Sequence, residues 1–147
     1  TREILRRMGP NGRLIAIDTN PLFIDLLRRE LRDERLICVE GSAADVEQIL
    51  AQHGFAQASY IVSGLPFSVL PAGVADAIMD ATQRAVAPGG AFLVYQYSLY
   101  VLPYLRKRFD RIDRRFVLRC IPPARLFWAW KDADSVKSVA VESSAAA

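Results

Sequence analysis

Short apolar runs of strand length alternate with helix-period segments along most of this 147-residue chain, and that alternation is what most restricts its fold. The runs Arg13-Leu-Ile-Ala-Ile17, Leu36-Ile-Cys-Val39, Ala58-Ser-Tyr-Ile-Val62 and Ala91-Phe-Leu-Val-Tyr95 read as strands. A first helix carries Ile4, Leu5 and Met8 and stops at Gly9-Pro-Asn-Gly12. Asn20-Pro21 supplies an N-cap and a first-turn proline for a second helix, in which Phe23, Leu26, Leu27 and Leu31 form the apolar stripe while Arg28, Arg29 and Arg32 face away. Asp45 caps a third helix running through Leu50. A fourth presents Ala75, Ile78, Met79, Thr82 and Val86 on one face and is stopped by Pro88-Gly-Gly90, and a fifth spans Val101 to Phe109. The rhythm then breaks. Phe116-Val-Leu-Arg-Cys-Ile121 and Arg125-Leu-Phe-Trp-Ala-Trp130 are joined only by Pro122-Pro-Ala124, whereas a parallel crossover needs about a dozen residues. The pattern predicts an α/β domain over residues 1–134, with a mostly parallel sheet closed by a C-terminal antiparallel hairpin. Residues 135–147, poor in large apolar groups, read as a loose tail.

Residue content removes several function classes. His53 is the single histidine, so HExxH-type metal sites are impossible, and a Ser/His/Asp hydrolase would have to use a residue in a polar helix end. Cys38 and Cys120 stand far apart inside apolar strands and read as buried free thiols, so no metal is expected. No apolar run approaches the ~18–20 residues of a membrane-spanning helix. Charge is unevenly spread: residues 1–35 sum to +2, residues 36–100 to −4 and residues 101–147 to +5. The densest cluster runs through Arg106, Lys107, Arg108, Arg111, Arg114, Arg115 and Arg119. Such a run is a solvated face in most proteins, and it also suits anionic lipid or nucleic-acid phosphate.

Ligands of open α/β sheets sit beyond the carboxyl ends of the strands. Here those ends carry Asp18-Thr19-Asn20, Gly41-Ser42-Ala43, Ser63-Gly64-Leu65-Pro66 and Gln96-Tyr97-Ser98. An acid at the end of a second strand can accept hydrogen bonds from both ribose hydroxyls, and it follows a glycine-rich loop by ~20 residues in dinucleotide folds. That spacing puts the first strand and its glycine-rich loop ahead of Thr1, outside this chain. Asp18 alone would read as an ordinary helix-start acid; three further strand ends with small or polar residues turn the balance toward an adenosine ligand.

Two motifs sharpen the assignment. Ile61-Val-Ser-Gly-Leu-Pro-Phe67 followed by Pro71, and Cys120-Ile-Pro-Pro-Ala-Arg125 ahead of an aromatic strand, resemble bacterial phosphatidylethanolamine N-methyltransferases. Pro88-Gly-Gly90 with Phe92-Leu-Val-Tyr-Gln-Tyr97 fits the fifth strand of that family, and the resemblance extends to about Lys131. It implies a Rossmann-like class I methyltransferase sheet, with S-adenosylmethionine as cofactor and S-adenosylhomocysteine as product. It also implies a cytoplasmic enzyme on the inner face of the membrane, methylating the phosphatidylethanolamine amine toward phosphatidylcholine. The ribosomal RNA adenine dimethyltransferases have a similar loop but normally offer Asn where Gly64 stands, which makes nucleic acid the weaker partner. A non-catalytic methyltransferase-fold binding module is a third reading. Ser42 stands where the fold often has Asp against the adenine amine.

On this reading Asp18, Thr19, Asn20, Gly41, Ser42, Ala43 and Ser63 hold the cofactor. Backbone carbonyls of Ser63, Gly64 and Leu65 orient the amine, Pro66 stiffens the loop, and Tyr97 offers a hydroxyl acceptor. Phe67, Tyr97 and Tyr100 supply aromatic faces for the methylated cation, and Arg106 and Lys107 meet the lipid. Trp128 and Trp130 are expected in the core.

Overall fold

A computed structural model of the protein describes residues 1–117 and 123–133. The chain divides into two compact units, Thr1–Asp45 and the remainder from Val46.

In the first unit, α1 (Arg2–Arg7) leads to β1 (Leu14–Asp18), α2 (Pro21–Glu30) and β2 (Leu36–Glu40). β1 and β2 pair in parallel, from Leu14 opposite Leu36 to Asp18 opposite Glu40. α2 starts where the local chemistry requires: the Asn20 side chain accepts the Leu22 N–H at 3.0 Å and Pro21 occupies the first turn. Its buried stripe is Ile24 and Leu27, not Phe23 and Leu26, which are 44% and 45% exposed. α2 packs against both β1 and β2. The Arg35 guanidinium donates to the carbonyls of Met8 (2.8 Å) and Leu5 (3.0 Å), tying the end of α1 to the turn before β2. It also pairs with Asp33 at 2.6 Å, and those hydrogen bonds hold the Asp33 carboxyl at about 2. What Asp33 adds to folding is therefore present above the ordinary carboxylate value and fades as pH falls toward about 2.

The second unit contains α3 (Val46–Gln52), β3 (Ala58–Ser63), α4 (Ala72–Ala85), β4 (Val86–Gln96), α5 (Leu102–Arg106), β5 (Arg111–Val117) and β6 (Ala124–Trp130). Strand order is β3-β4-β6-β5, with β3 parallel to β4 and the other two pairings antiparallel. The expected hairpin is present, although its first strand begins at Arg111 rather than Phe116. Residues 118–122, with Arg119 and Cys120, and residues 134–147, with the expected tail from 135, lie outside the described residues. Phe92, Val94, Phe127 and Ala129 fill the buried face, where Phe92 stacks on Phe109 at 6.0 Å. Strand alternation puts Trp128 and Trp130 on the opposite face. They are half-buried rather than core, with Arg115 over the Trp128 ring at 5.8 Å and Arg111 over Trp130 at 4.9 Å.

Pro88-Gly-Gly90 does not separate α4 from a later strand, because β4 begins at Val86, directly after α4. The three residues form a bulge: Ala58 pairs with Val86, but Tyr60 already pairs with Ala91. Gly89 takes φ +77°, its N–H donates to the Lys131 carbonyl at 2.7 Å, and the Lys131 N–H donates to the Gly90 carbonyl at 3.0 Å. A Cβ on Gly90 would lie 2.4 Å from the Ser59 carbonyl oxygen, whereas one on Gly64 would meet nothing within 4 Å. Gly90→Ala should therefore lower stability by roughly 1–3 kcal/mol in urea unfolding, with Gly64→Ala close to neutral. Equal stability of the two variants would contradict this β3–β4 register.

The basic run is also divided differently. α5 ends at Arg106, and Arg111, Arg114 and Arg115 lie exposed on β5, the edge strand. Arg108 does not face solvent: its side chain is 8% exposed and reaches Asp76 and Asp80 on α4, both at 2.5 Å. Hydrogen bonding from Arg108 holds the Asp80 carboxyl below its usual range. Among the described residues no helix is long and apolar enough to cross a membrane.

Candidate functional site

The carboxyl ends of β1 and β2 form one rim in the first unit. Parallel pairing brings Asp18 opposite Glu40, and the Gly41 N–H donates to the Asp18 carbonyl at 3.0 Å. The Asp18 carboxylate accepts the Asn20 N–H at 2.8 Å, which turns the chain into α2. A carboxylate has about four acceptor positions, so this turn leaves Asp18 able to take a pair of hydroxyls. The Ser42 hydroxyl accepts the Ala44 N–H at 3.1 Å and keeps a second lone pair for an amine. Asp18, Thr19, Asn20, Gly41, Ser42 and Ala43 are thus gathered at one end of the β1–β2 ribbon, with Asp18 half-buried. Cys38, two residues deeper along β2 and opposite Ala16, is half-buried rather than buried, and burial pushes its thiol up.

In the second unit the loop after β3 is held by its own side chain and by β4. The Ser63 hydroxyl accepts the Leu65 N–H at 3.2 Å. The Leu65 carbonyl accepts the Phe67 N–H at 2.9 Å and a second hydrogen bond from the Gln96 side-chain amide. Both lone pairs of that carbonyl are engaged within the chain, which leaves it no free acceptor position for an amine, contrary to expectation. Phe67 is likewise corrected. It is 0% exposed, so its ring is core and offers no face to a cation. The Pro66 carbonyl accepts the Val69 N–H at 3.0 Å, which closes a turn after the loop.

Tyr97 and Tyr100 follow β4 and are 56% and 46% exposed. The Tyr95 hydroxyl donates to the Tyr97 hydroxyl at 3.0 Å, and the Tyr100 ring lies 5.8 Å from Tyr104. A hydrogen bond with Tyr100 pushes the Tyr104 phenol up. Arg106 and Lys107 are exposed at the end of α5. Arg106 borders a shallow cavity of about 270 Å³ with Arg114, above Leu102, Phe109 and Ile112. Sequence patterning missed Gln96 and Arg108: both are long polar side chains whose partners lie 31 and 28–32 residues away.

The chain matches no family model. It is 32% identical over 130 residues to the ornithine lipid N-methyltransferase of Singulisphaera acidiphila, covering 87% of this chain and 68% of that protein. Over 84 residues it is 31% identical to ribosomal RNA small subunit methyltransferase H of Shewanella denitrificans, 57% of this chain but 25% of that one. Among solved structures, N-methyltransferase NodS from Bradyrhizobium japonicum WM9 in complex with S-adenosyl-L-homocysteine superposes with a TM-score of 0.61. The identity there is 15%, over 80% of this chain and 66% of that one, which is a likeness of fold. The expected Rossmann-like class I sheet agrees with that likeness, and the alignment to the lipid enzyme is both long and specific. This chain belongs to the family of the ornithine lipid N-methyltransferase, among the class I S-adenosylmethionine-dependent N-methyltransferases.

Proposed function

We propose that the protein transfers methyl groups from S-adenosylmethionine to an aliphatic amine carried by a membrane lipid, with phosphatidylethanolamine as substrate. The observation that carries the lipid-amine part of this reading is the 130-residue likeness to an ornithine lipid N-methyltransferase. Two features of the chain support it. Gly64 stands where an adenine methyltransferase would offer Asn, although open space at that position would admit a side chain. Exposed Arg106, Lys107, Arg111, Arg114 and Arg115, with half-exposed tryptophans on the same hairpin, suit an anionic lipid surface.

Asp18 and Ser42 fit the ribose and adenine of the cofactor as acceptors, each with hydrogen-bonding capacity left after its local turn. When bound, S-adenosylmethionine supplies an electrophilic methyl group on a sulfonium. The chain's own task is positioning. A lysine-like amine, with a reference pKa of ~10.4, arrives protonated and must give its proton to solvent water before its freed lone pair attacks. The Ser63 and Gly64 carbonyls accept its N–H groups and aim the nitrogen lone pair, and the Tyr97 hydroxyl is a further acceptor. Fixing that geometry is worth several kcal/mol of barrier without a strong base. Aromatic faces at Tyr97 and Tyr100 attract the methylated cation, at ~0.5–2 kcal/mol each.

The test is methyl transfer in three arms, read by mass spectrometry of lipids for phosphatidylethanolamine and ornithine lipid vesicles and of digested nucleosides for ribosomal RNA. Phosphatidylglycerol is varied in the vesicles. The expected result is methylated phosphatidylethanolamine, with binding that rises with phosphatidylglycerol and falls with salt. Transfer to ornithine lipid alone would move the substrate within the same amine class. Transfer to RNA alone, with binding indifferent to anionic lipid, would overturn the headgroup reading.

A further inference from the structure

We infer that Gln96 is the positioning residue of the amine-binding loop, acting through the Leu65 carbonyl; this rests on the reading of Ser63–Pro66 as the loop that orients the amine. Gln96 ends β4 and is 6% exposed, one of two buried polar residues among those described. It lies on the buried face with Phe92 and Val94, in a setting that otherwise holds apolar side chains. Its side-chain amide donates to the Leu65 carbonyl, 31 residues earlier in the chain. That carbonyl also takes the Phe67 N–H at 2.9 Å, and the Leu65 N–H is held by the Ser63 hydroxyl at 3.2 Å. Both polar groups of the Leu65 backbone are therefore fixed, one by the loop itself and one by the sheet.

The consequence falls on Gly64. This glycine meets nothing within 4 Å of its Cβ position, so no side-chain packing limits its backbone rotation. A carbonyl that aims an amine needs a held peptide plane, and the Gly64 carbonyl shares its plane with the Leu65 N–H that the Ser63 hydroxyl accepts. Ser63 is fixed on the other side by strand pairing opposite Val94. Gln96 holds the next peptide plane, which carries the Leu65 carbonyl, to the end of β4, so the plane of the Gly64 carbonyl is anchored to the sheet on its far side as well. Gln96 touches neither amine nor cofactor in this account.

Two variants separate positioning from mere stability. Gln96→Met keeps the volume but removes the donor, so kcat should fall about 10- to 100-fold, the cost of a misplaced reacting group. Affinity for S-adenosylhomocysteine should stay as in the wild type. Gln96→Glu restores a donor only when protonated, and burial raises a carboxyl's pKa. Its kcat, taken as a ratio to wild type, should recover as pH falls, while the Gln96→Met ratio stays low throughout. Thr82→Ala, removing another buried polar group on α4, should lose stability without any change in kcat. Wild-type kcat in Gln96→Met, or a Gln96→Glu ratio that ignores pH, would overturn the inference. If the wild-type protein methylates no lipid amine, the headgroup reading fails by itself. Amide exchange at Leu65 and Phe67, which needs no substrate, then decides Gln96: faster exchange in Gln96→Met supports the inference, and unchanged exchange overturns it.

Discussion

Phe67→Ala should lower the unfolding free energy by ~3–5 kcal/mol while leaving the KM for the lipid amine unchanged. The side chain is 0% exposed, among the largest fully buried groups of the second unit. Truncating it removes its transfer free energy and leaves a cavity that the surrounding core relaxes only partly to fill. Against a total of ~5–15 kcal/mol for a typical domain, that loss is large enough to leave part of the protein unfolded at growth temperature. Urea unfolding of Phe67→Ala and Phe67→Leu checks it, the leucine variant losing less because it refills most of the space. Had Phe67 lined the amine pocket, as its place between Pro66 and Pro71 suggests from sequence, KM would rise and stability would hold. A raised KM at unchanged unfolding midpoint would therefore reverse the placement.

Elements were legible in the sequence where local chemistry decides them. Asn20-Pro21 fixes the start of α2 by a cap and a proline that act within two residues, and the structure shows both. The hairpin was legible for a different reason, because the joint between its strands is too short for any crossover. Pro88-Gly-Gly90 was misread because glycine and proline mark both a break between elements and a bulge inside a strand. The choice depends on Ser59 and Lys131, which lie remote in sequence. Arg108 was hidden in a run of seven basic residues, indistinguishable by type from its solvated neighbours. What sets it apart is Asp76 and Asp80 spaced one helical turn apart on α4.

The site shows the same division. Strand ends can be listed from a sequence, and Asp18, Gly41 and Ser42 do share a rim because parallel pairing in register requires it. Which loop groups remain available cannot be listed that way. Leu65 was an attractive acceptor until its carbonyl proved doubly bonded, and Gln96 looked like one more polar strand end. The two tryptophans were misplaced because burial along a strand depends on which sheet face is covered, and Phe67 because a loop position between two prolines does not report burial; apolar character alone reveals neither.

The second large effect belongs to Asp18, and it bears on the central claim that an adenosine cofactor is held at the β1–β2 rim. A charge-assisted hydrogen bond is worth ~1.5–3 kcal/mol, so Asp18→Ala should weaken S-adenosylhomocysteine binding roughly 10- to 150-fold. Asp18→Ala also removes the acceptor of the Asn20 N–H at 2.8 Å, and that turn leads into α2. Asp18→Asn keeps an oxygen for the turn but loses the charge, so it separates ligand recognition from local folding. The decisive measurement is calorimetric titration of S-adenosylhomocysteine into wild type, Asp18→Asn and Asp18→Ala, with unfolding midpoints recorded alongside. Weakened binding in both variants, with Asp18→Asn still as stable as wild type, is the predicted result. Wild-type affinity in the two variants would contradict the account at its base.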